Sequence, residues 1–318
     1  MEFELIQRIR ARTRAQAGLR TDVELGMGDD AALLNVPSGR QLVVSTDTLN
    51  VGVHFPAETA PFDLGWKALA VNLSDLAAMG AEPAWCTLSL SMPRADSAWL
   101  DALLDGLFTL ADAHAVALVG GDTTHGPLSL SLTAMGLVTP GRALRRDGAQ
   151  VDDEIWVTGT LGDAAAALAQ LRAGGVADPA LRERLDRPQP RLAIGRALVG
   201  AAHACIDVSD GLLQDLGHIC CASDVAAIVE IDALPASAAL SARAWGETLR
   251  ADQACGGDDY ELCFTAPPSA RGAITRAAEH ESLPISRIGR IVAGTGVRAL
   301  TSDGTAWLPA RAGYEHFS

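Results

Sequence analysis

Six short segments of this chain place aspartate beside glycine, serine or threonine. They are Gly26-Met27-Gly28-Asp29-Asp30, Ser45-Thr46-Asp47, Asn72-Leu73-Ser74-Asp75, Gly120-Gly121-Asp122-Thr123, Asp207-Val208-Ser209-Asp210-Gly211 and Gly256-Gly257-Asp258-Asp259-Tyr260. Carboxylates repel one another, so folding many of them toward one place costs free energy unless a cation holds them. Hard divalent cations take oxygen ligands, and the pattern therefore points to magnesium, whose sites of this kind handle phosphates.

Each segment also has a plainer reading. Glycine-aspartate pairs are common in turns, and Ser45-Thr46-Asp47 and Asp207 to Gly211 read equally as an Asx-turn and a helix N-cap. Asp75 is the most telling residue, because it sits in the apolar stretch Ala70 to Met79 and shares a helix face with Asn72. A carboxylate there needs a partner, either a single salt bridge or a metal. Five other acidic turns in the same chain favour the metal. Gly120 and Gly121 allow backbone to approach a phosphate, and a helix start at Ser209 or Asp210 favours an anion. Arg145-Arg146 reads as a solvated charge pair or as a partner for polyphosphate. His54 reads as a loop histidine.

Lys67 is the only lysine among 318 residues, and it lies between Trp66 and Ala68. A P-loop requires lysine after glycine and before serine or threonine, so that route to ATP is excluded; no kinase-type histidine-arginine-aspartate loop is present either. Thr158-Gly159-Thr160-Leu161-Gly162 lacks the last glycine of a dinucleotide fingerprint. A net charge of -14 argues against a nucleic-acid surface. Apolar residues make up 48%, yet no run is long enough for a membrane span. The six cysteines form no C-x-x-C pair and read as free, mostly buried thiols, which fits a reducing cytoplasm.

The elements that must position these residues follow from pattern. Residues 2–17 read as a helix. Leu42 to Val44 reads as a short buried strand ending in a Ser45-Thr46-Asp47 turn. A helix over 63–79, a strand over 86–92, a helix over 97–114 capped by Ser97, and strands over 116–119 and 128–138 complete the first half. A domain boundary is expected near residue 150, giving domains over 1–150 and 151–318. Beyond it come a strand over 155–157, a helix over 164–173, a loop-rich connection over 174–190, a strand over 206–208 and a helix over 209–222. Strands near 226–231, 261–265 and 286–292 and a helix near 268–280 follow. Strands and helices mix without a regular βαβ repeat, which predicts an α+β fold.

Taken in order, these segments resemble the thiamine-monophosphate kinase family of the aminoimidazole-ribonucleotide-synthetase-like (PurM-like) superfamily. The matching stretches are Asp22 to Asp30, Ser45 to Leu49, Lys67 to Gly80, Leu118 to Thr124, Asp207 to Leu212, Gly256 to Leu262, and Gly313-Tyr314-Glu315-His316-Phe317. The resemblance implies transfer of the γ-phosphoryl group of ATP to thiamine monophosphate, giving thiamine diphosphate and ADP, with several Mg2+ ions between the anions. It assigns Asp30, Ser45, Thr46, Asp47, Asp75, Asp122, Asp207 and Asp210 to magnesium, with Asp75 and Asp210 central to catalysis. It assigns Gly121, Asp122, Arg146 and Ser209 to ATP, and His54, Asp258 and Tyr314 to the thiamine portion. Asp258 stands where the family commonly has glutamate.

The same resemblance implies a two-domain PurM-like fold, with an N-terminal α/β domain pairing across a homodimer and a C-terminal α+β domain. The active site is then expected between the domains. Two alternatives remain at this point. One is a sibling synthetase that activates an amide or carboxamide oxygen with ATP. The other is a non-catalytic, cation-binding acidic module.

Overall fold

The computed structural model describes residues 2–15, 20–310 and 313–314. The chain divides into two compact units, Met1–Leu76 with Ala81–Gly141, and Ala77–Gly80 with Arg142–Ser318.

The first unit begins with α1 (Glu2–Ala15), followed by the short strands β1 (Val23–Leu25) and β2 (Leu33–Leu34). Then come β3 (Gln41–Asn50), α2 (Pro61–Ala78), β4 (Glu82–Met92), α3 (Ser97–Ala113), β5 (Ala117–His125) and β6 (Ser129–Val138). The four long strands form a sheet in the order β3-β6-β4-β5, with β4 and β5 parallel and the other neighbours antiparallel. The helix expected over 2–17 is present to Ala15; residues 16 and 17 lie outside the described residues.

Two expectations here are corrected. β3 does not stop at Val44 but runs through Ser45, Thr46 and Asp47, and it is not buried: Leu42 is 41% and Val44 56% exposed. The run Val43 to Thr48, four of whose six residues are β-branched, continues extended because Ser131 to Gly136 of β6 pairs with it residue by residue. The cap of α3 is Asp96 rather than Ser97, its carboxylate accepting from the Trp99 N–H at 3.0 Å.

α2 and α3 bury their apolar faces, Leu64, Leu69, Leu73 and Leu76 on one and Leu100, Leu103, Leu104 and Leu107 on the other. Gly65 of α2 lies against the Leu103 carbonyl, and Gly106 of α3 against that of Phe62. The two backbones touch because each helix offers a residue without Cβ at the contact. On the solvent side of α3, Arg8 and Arg12 of α1 pair with Asp101 at 2.7 Å and Asp105 at 2.6 Å.

The second unit carries β7 (Glu154–Thr158), α4 (Asp163–Arg172), α5 (Pro179–Asp186), α6 (Leu192–Ala197), β8 (Ala204–Asp207), α7 (Leu212–Ser223) and β9 (Ala226–Glu230). It continues with α8 (Ala238–Ser241), α9 (Gly246–Cys255), β10 (Leu262–Ala266), α10 (Arg271–His280), β11 (Ile285–Val292), β12 (Gly296–Leu300) and β13 (Ala306–Trp307). Among the described residues its strands form one sheet in the order β13-β12-β9-β11-β7-β10-β8. A mostly antiparallel sheet with helices laid against it is the α+β architecture read from the sequence.

The connection expected over 174–190 contains α5, started by Pro179 at its first turn and by Asp178, whose carboxylate accepts from Ala180 and Leu181. The glycines and prolines of that stretch mask the apolar pair Leu181 and Leu185, both buried against α4 and α8. Four thiols, Cys86, Cys205, Cys220 and Cys263, are buried and free, and burial pushes each of them up. No helix of the described residues is long and apolar enough to cross a membrane.

Burial pushes the Asp252 carboxyl on α9 up to about 6, from an ordinary 3.8. The folded state thus holds this proton more tightly than the unfolded chain. Its contribution to stability is lost as pH rises from about 4 through 6. Asp252→Asn should leave stability unchanged near pH 3 and raise it at pH 8 by about 1 kcal/mol, the full shift being discounted because the group is only half-buried. Urea unfolding of parent and variant at both pH values checks this; an equal gap at both would refute it.

Candidate active site

The acidic segments of the first unit are placed by β3 and α2. Strand alternation puts Ser45 and Asp47 on one face of β3 and Thr46 on the other. Ser45 Oγ donates to Asp75 Oδ2 at 2.5 Å, and the Asp47 N–H donates to Asn72 Oδ1 at 3.1 Å. Asn72 is fixed in turn by donating to the Ala68 carbonyl at 3.0 Å. The Asn72 and Asp75 face of α2 therefore meets Ser45 and Asp47, four oxygen-bearing residues from segments 25 to 30 positions apart.

Thr46 is not brought to this group. Its hydroxyl donates to the Leu132 carbonyl at 3.1 Å and accepts from Thr133 Oγ1. Asp30 is exposed in the turn between β1 and β2, its N–H donating to Asp29 Oδ1 at 2.9 Å. The Ala31 to Leu34 run, expected to bury that turn's far end, is largely open, with Leu33 51% exposed. His54 follows β3 in a turn, its Nδ1 accepting from the Asn50 N–H at 3.0 Å.

Gly120, Gly121 and Asp122 lie within β5 and do not form a turn. Gly121 has φ +152°, and a Cβ there would overlap the Leu88 carbonyl of β4. The neighbouring strand by itself thus requires a residue without a side chain here. Asp47 lies opposite Leu132, Leu132 opposite Leu88, and Leu88 opposite Gly121. Asp47 and Asp122 are therefore three strand spacings apart, about 14 Å. Among the described residues, no three histidine, cysteine or acidic side chains converge on one metal position.

In the second unit, three segments far apart in sequence are laced together by backbone. The Asp258 N–H donates to the Ser209 carbonyl and the Tyr260 N–H to that of Val208, each at 2.8 Å. The Tyr314 N–H donates to the Asp210 carbonyl at 2.9 Å, and Gln214 Nε2 donates to the Tyr314 carbonyl at 2.9 Å. Asp207 ends β8 and is buried, while Ser209, Asp210, Asp258 and Tyr314 remain at least partly open. Glu315, His316 and Phe317 of the terminal motif lie outside the described residues.

The start of α7 differs from expectation. Neither Ser209 nor Asp210 caps the helix, which begins at Leu212 after Gly211. One oxygen of Asp215 accepts from the N–H groups of Ser209, Asp210 and Gly211 at 3.0, 3.1 and 3.2 Å. The protein's own carboxylate occupies the anion-binding backbone there. Burial pushes Asp215 up to about 7 against the opposing effect of these donors. Asp215 lies in the apolar run Leu212 to Leu216, the same signal that marks Asp75.

Arg145 pairs with Asp147 at 2.5 Å, leaving Arg146 exposed, with its carbonyl accepting from Ser223 Oγ at 2.8 Å. Beneath the Asp258 turn, Asp259 and Glu261 are buried. Both Asp259 oxygens accept from the Gly162 N–H at 3.0 Å, and burial raises this carboxyl well above its ordinary value.

Against known proteins, the AIR synthase related protein N-terminal domain matches residues 28–138, and the C-terminal domain of the same family matches 150–301. A thiamine-monophosphate kinase of Escherichia coli (strain K12) is 48% identical, covering 100% of this chain and 98% of that protein. The crystal structure of thiamine-monophosphate kinase from Stenotrophomonas maltophilia K279a is 56% identical with TM-score 0.88, over 93% of this chain and 96% of that one. AaThiL, solved complexed with AMPPCP and TMP, is 30% identical with TM-score 0.78, over 99% of this chain and 97% of that one. On likeness that spans both halves and the full length, the chain belongs to the thiamine-monophosphate kinase family of AIR synthase related proteins.

Proposed function

We propose that this protein transfers the γ-phosphoryl group of ATP to the phosphate of thiamine monophosphate, releasing thiamine diphosphate and ADP. The observation that carries this is the near-full-length likeness to AaThiL, a protein solved with AMPPCP and TMP together. Both reactants are anions and the acceptor is already an ionised phosphate, so positioning and charge neutralisation carry the rate, with no strong base required.

The donor sets fit Mg2+. They are carboxylate and hydroxyl oxygens in small groups, and magnesium commonly takes one or two carboxylates and completes its shell with water and substrate phosphates. Bound there, Mg2+ would neutralise phosphate charge. Asp75, Asp47 and Ser45 would hold it at one edge of the first unit's sheet and Asp122 at the other. Asp30 would contribute from its exposed turn. Asp207 and Asp210 would do so in the second unit, with Asp210 placed beside Ser209 to serve the nucleotide. The separation between Asp47 and Asp122 suits several cations, not one. Thr46 joins them only through its backbone or after its hydroxyl turns away from Leu132. Gly121 and Arg146 would serve ATP, and His54, Asp258 and Tyr314 the thiamine portion, whose cationic ring suits a carboxylate and an aromatic face.

A homodimer pairing through β3 belongs to the same reading, supported by the exposed apolar Leu42 and Val44. Sedimentation equilibrium of Val44→Glu against parent tests it; a parent that sediments as a monomer refutes it. The reaction itself is tested by chromatography after incubation with ATP, Mg2+ and thiamine monophosphate, with free thiamine in parallel. Thiamine diphosphate and ADP from the monophosphate alone are expected. ATP binding without product from either acceptor would transfer the reading to a sibling synthetase.

A further inference from the structure

We propose that Arg184 and Arg191 are positioning residues for the Gly256–Tyr260 turn, acting through Glu261 to set affinity for the acceptor substrate. The proposal rests on the reading of Asp258 as a contact of that substrate. Asp258 and Tyr260 have φ of +68° and +50°. Two non-glycine residues held in the left-handed region within three positions persist only where their surroundings over-determine them. Tyr260 Oη also donates to Asp258 Oδ1 at 3.3 Å, so the two side chains are set together.

The surroundings are specific. Glu261, next in sequence, has no exposed side-chain area. Arg184 donates to its Oε1 at 2.7 Å, and Arg191 donates through Nε to Oε2 at 2.7 Å and through a second N–H to Oε1. Thr158 Oγ1 donates to Oε2 at 2.6 Å and accepts from the Leu262 N–H at 2.8 Å. Arg184 also reaches the Asp259 carbonyl at 3.5 Å. Two guanidinium groups thus converge on one buried carboxylate, and one of them touches the backbone of the turn itself. Bidentate arginine pairs fix orientation as well as distance. Arg184 comes from α5 and Arg191 from the residue before α6, so this stretch of the chain braces the turn from below while Val208 and Ser209 hold its edge.

The test uses Arg191→Gln and Arg191→Lys in the full chain, with Arg184→Lys as the milder variant should Arg191→Gln fail to fold. Steady-state kinetics are measured with each substrate varied in turn. For Arg191→Gln the KM for thiamine monophosphate should rise about tenfold, with the KM for ATP within about twofold of parent, and Arg191→Lys should recover part of the loss. A residue that merely stabilises the fold would lower the active fraction, and hence kcat, with both KM values unchanged. That result overturns the proposal. Hydrogen exchange supplies a readout independent of the reaction. The Asp258 and Tyr260 amides should exchange at least about tenfold faster in Arg191→Gln while those of β7 keep their protection. If the parent makes no thiamine diphosphate, the functional reading fails and exchange alone decides the clamp. Unchanged exchange at both amides would overturn it.

Discussion

Asp75→Asn should lower thiamine diphosphate formation by about 10³-fold, the scale at which one preorganised electrostatic contact acts on a transition state. The thermal midpoint should stay within about 2 °C of parent, since the change falls outside the core-packing mechanisms that cost most. Asparagine has the same shape, and its carbonyl oxygen can still accept from Ser45 Oγ, which donates to Asp75 at 2.5 Å. The neighbouring bond from the Asp47 N–H to Asn72 is untouched. On the proposed reading, what the substitution removes is the charge that would hold a cation against two mutually repelling phosphates. Turnover and thermal melts on the same preparation check this. Near-parental turnover would remove Asp75 from the metal site and reduce its contact with Ser45 to a fold-stabilising hydrogen bond.

Gly106→Ala should destabilise the first unit by about 3 kcal/mol, the upper end of the usual cost of overpacking, because backbone must be displaced. A Cβ at this position overlaps the Phe62 carbonyl, and at Gly65 it overlaps that of Leu103, so α2 and α3 must move apart to admit either. Because α2 presents Asn72 and Asp75, activity should fall together with stability. Gly217→Ala in α7 is the opposite-signed control, since its added Cβ would meet only a Val297 methyl at 4.0 Å. There the helix propensity of alanine should raise stability by about 0.5–1 kcal/mol. Urea unfolding of the three proteins measures both effects. A loss of less than about 1 kcal/mol for Gly106→Ala would mean that the helices yield easily at this crossing.

Much of the candidate site was legible because its chemistry is carried by residue type and short spacing. Asn72 and Asp75, three apart on an apolar helix, were identifiable as a polar face that needs partners, and Ser45 and Asp47 supply them. Lys67 as the sole lysine excluded a Walker site without any structure. Elements with one clear period, α2, α3, β4 and β6, were read to within a few residues.

What failed had a common cause. Leu42 to Val44 reads as a strand that breaks into a turn at Ser45-Thr46-Asp47, since aspartate and serine favour turns locally; pairing with β6 overrides that preference. α5 is not legible in the sequence because glycine and proline dominate its flanks, whereas its apolar pair gains meaning only when α4 and α8 cover it.

The sequence by itself determined the family, the α+β class and the oxygen-rich chemistry, since these depend on residue types in order along the chain. Only the tertiary structure decided which carboxylates work outward and which work inward. Asp215 and Glu261 look in sequence like Asp75 and Asp258, yet the fold turns Asp215 onto three of its own backbone N–H groups and Glu261 onto two arginines. A buried carboxylate must find donors, and long-range packing alone sets whether those donors come from the protein or from a ligand.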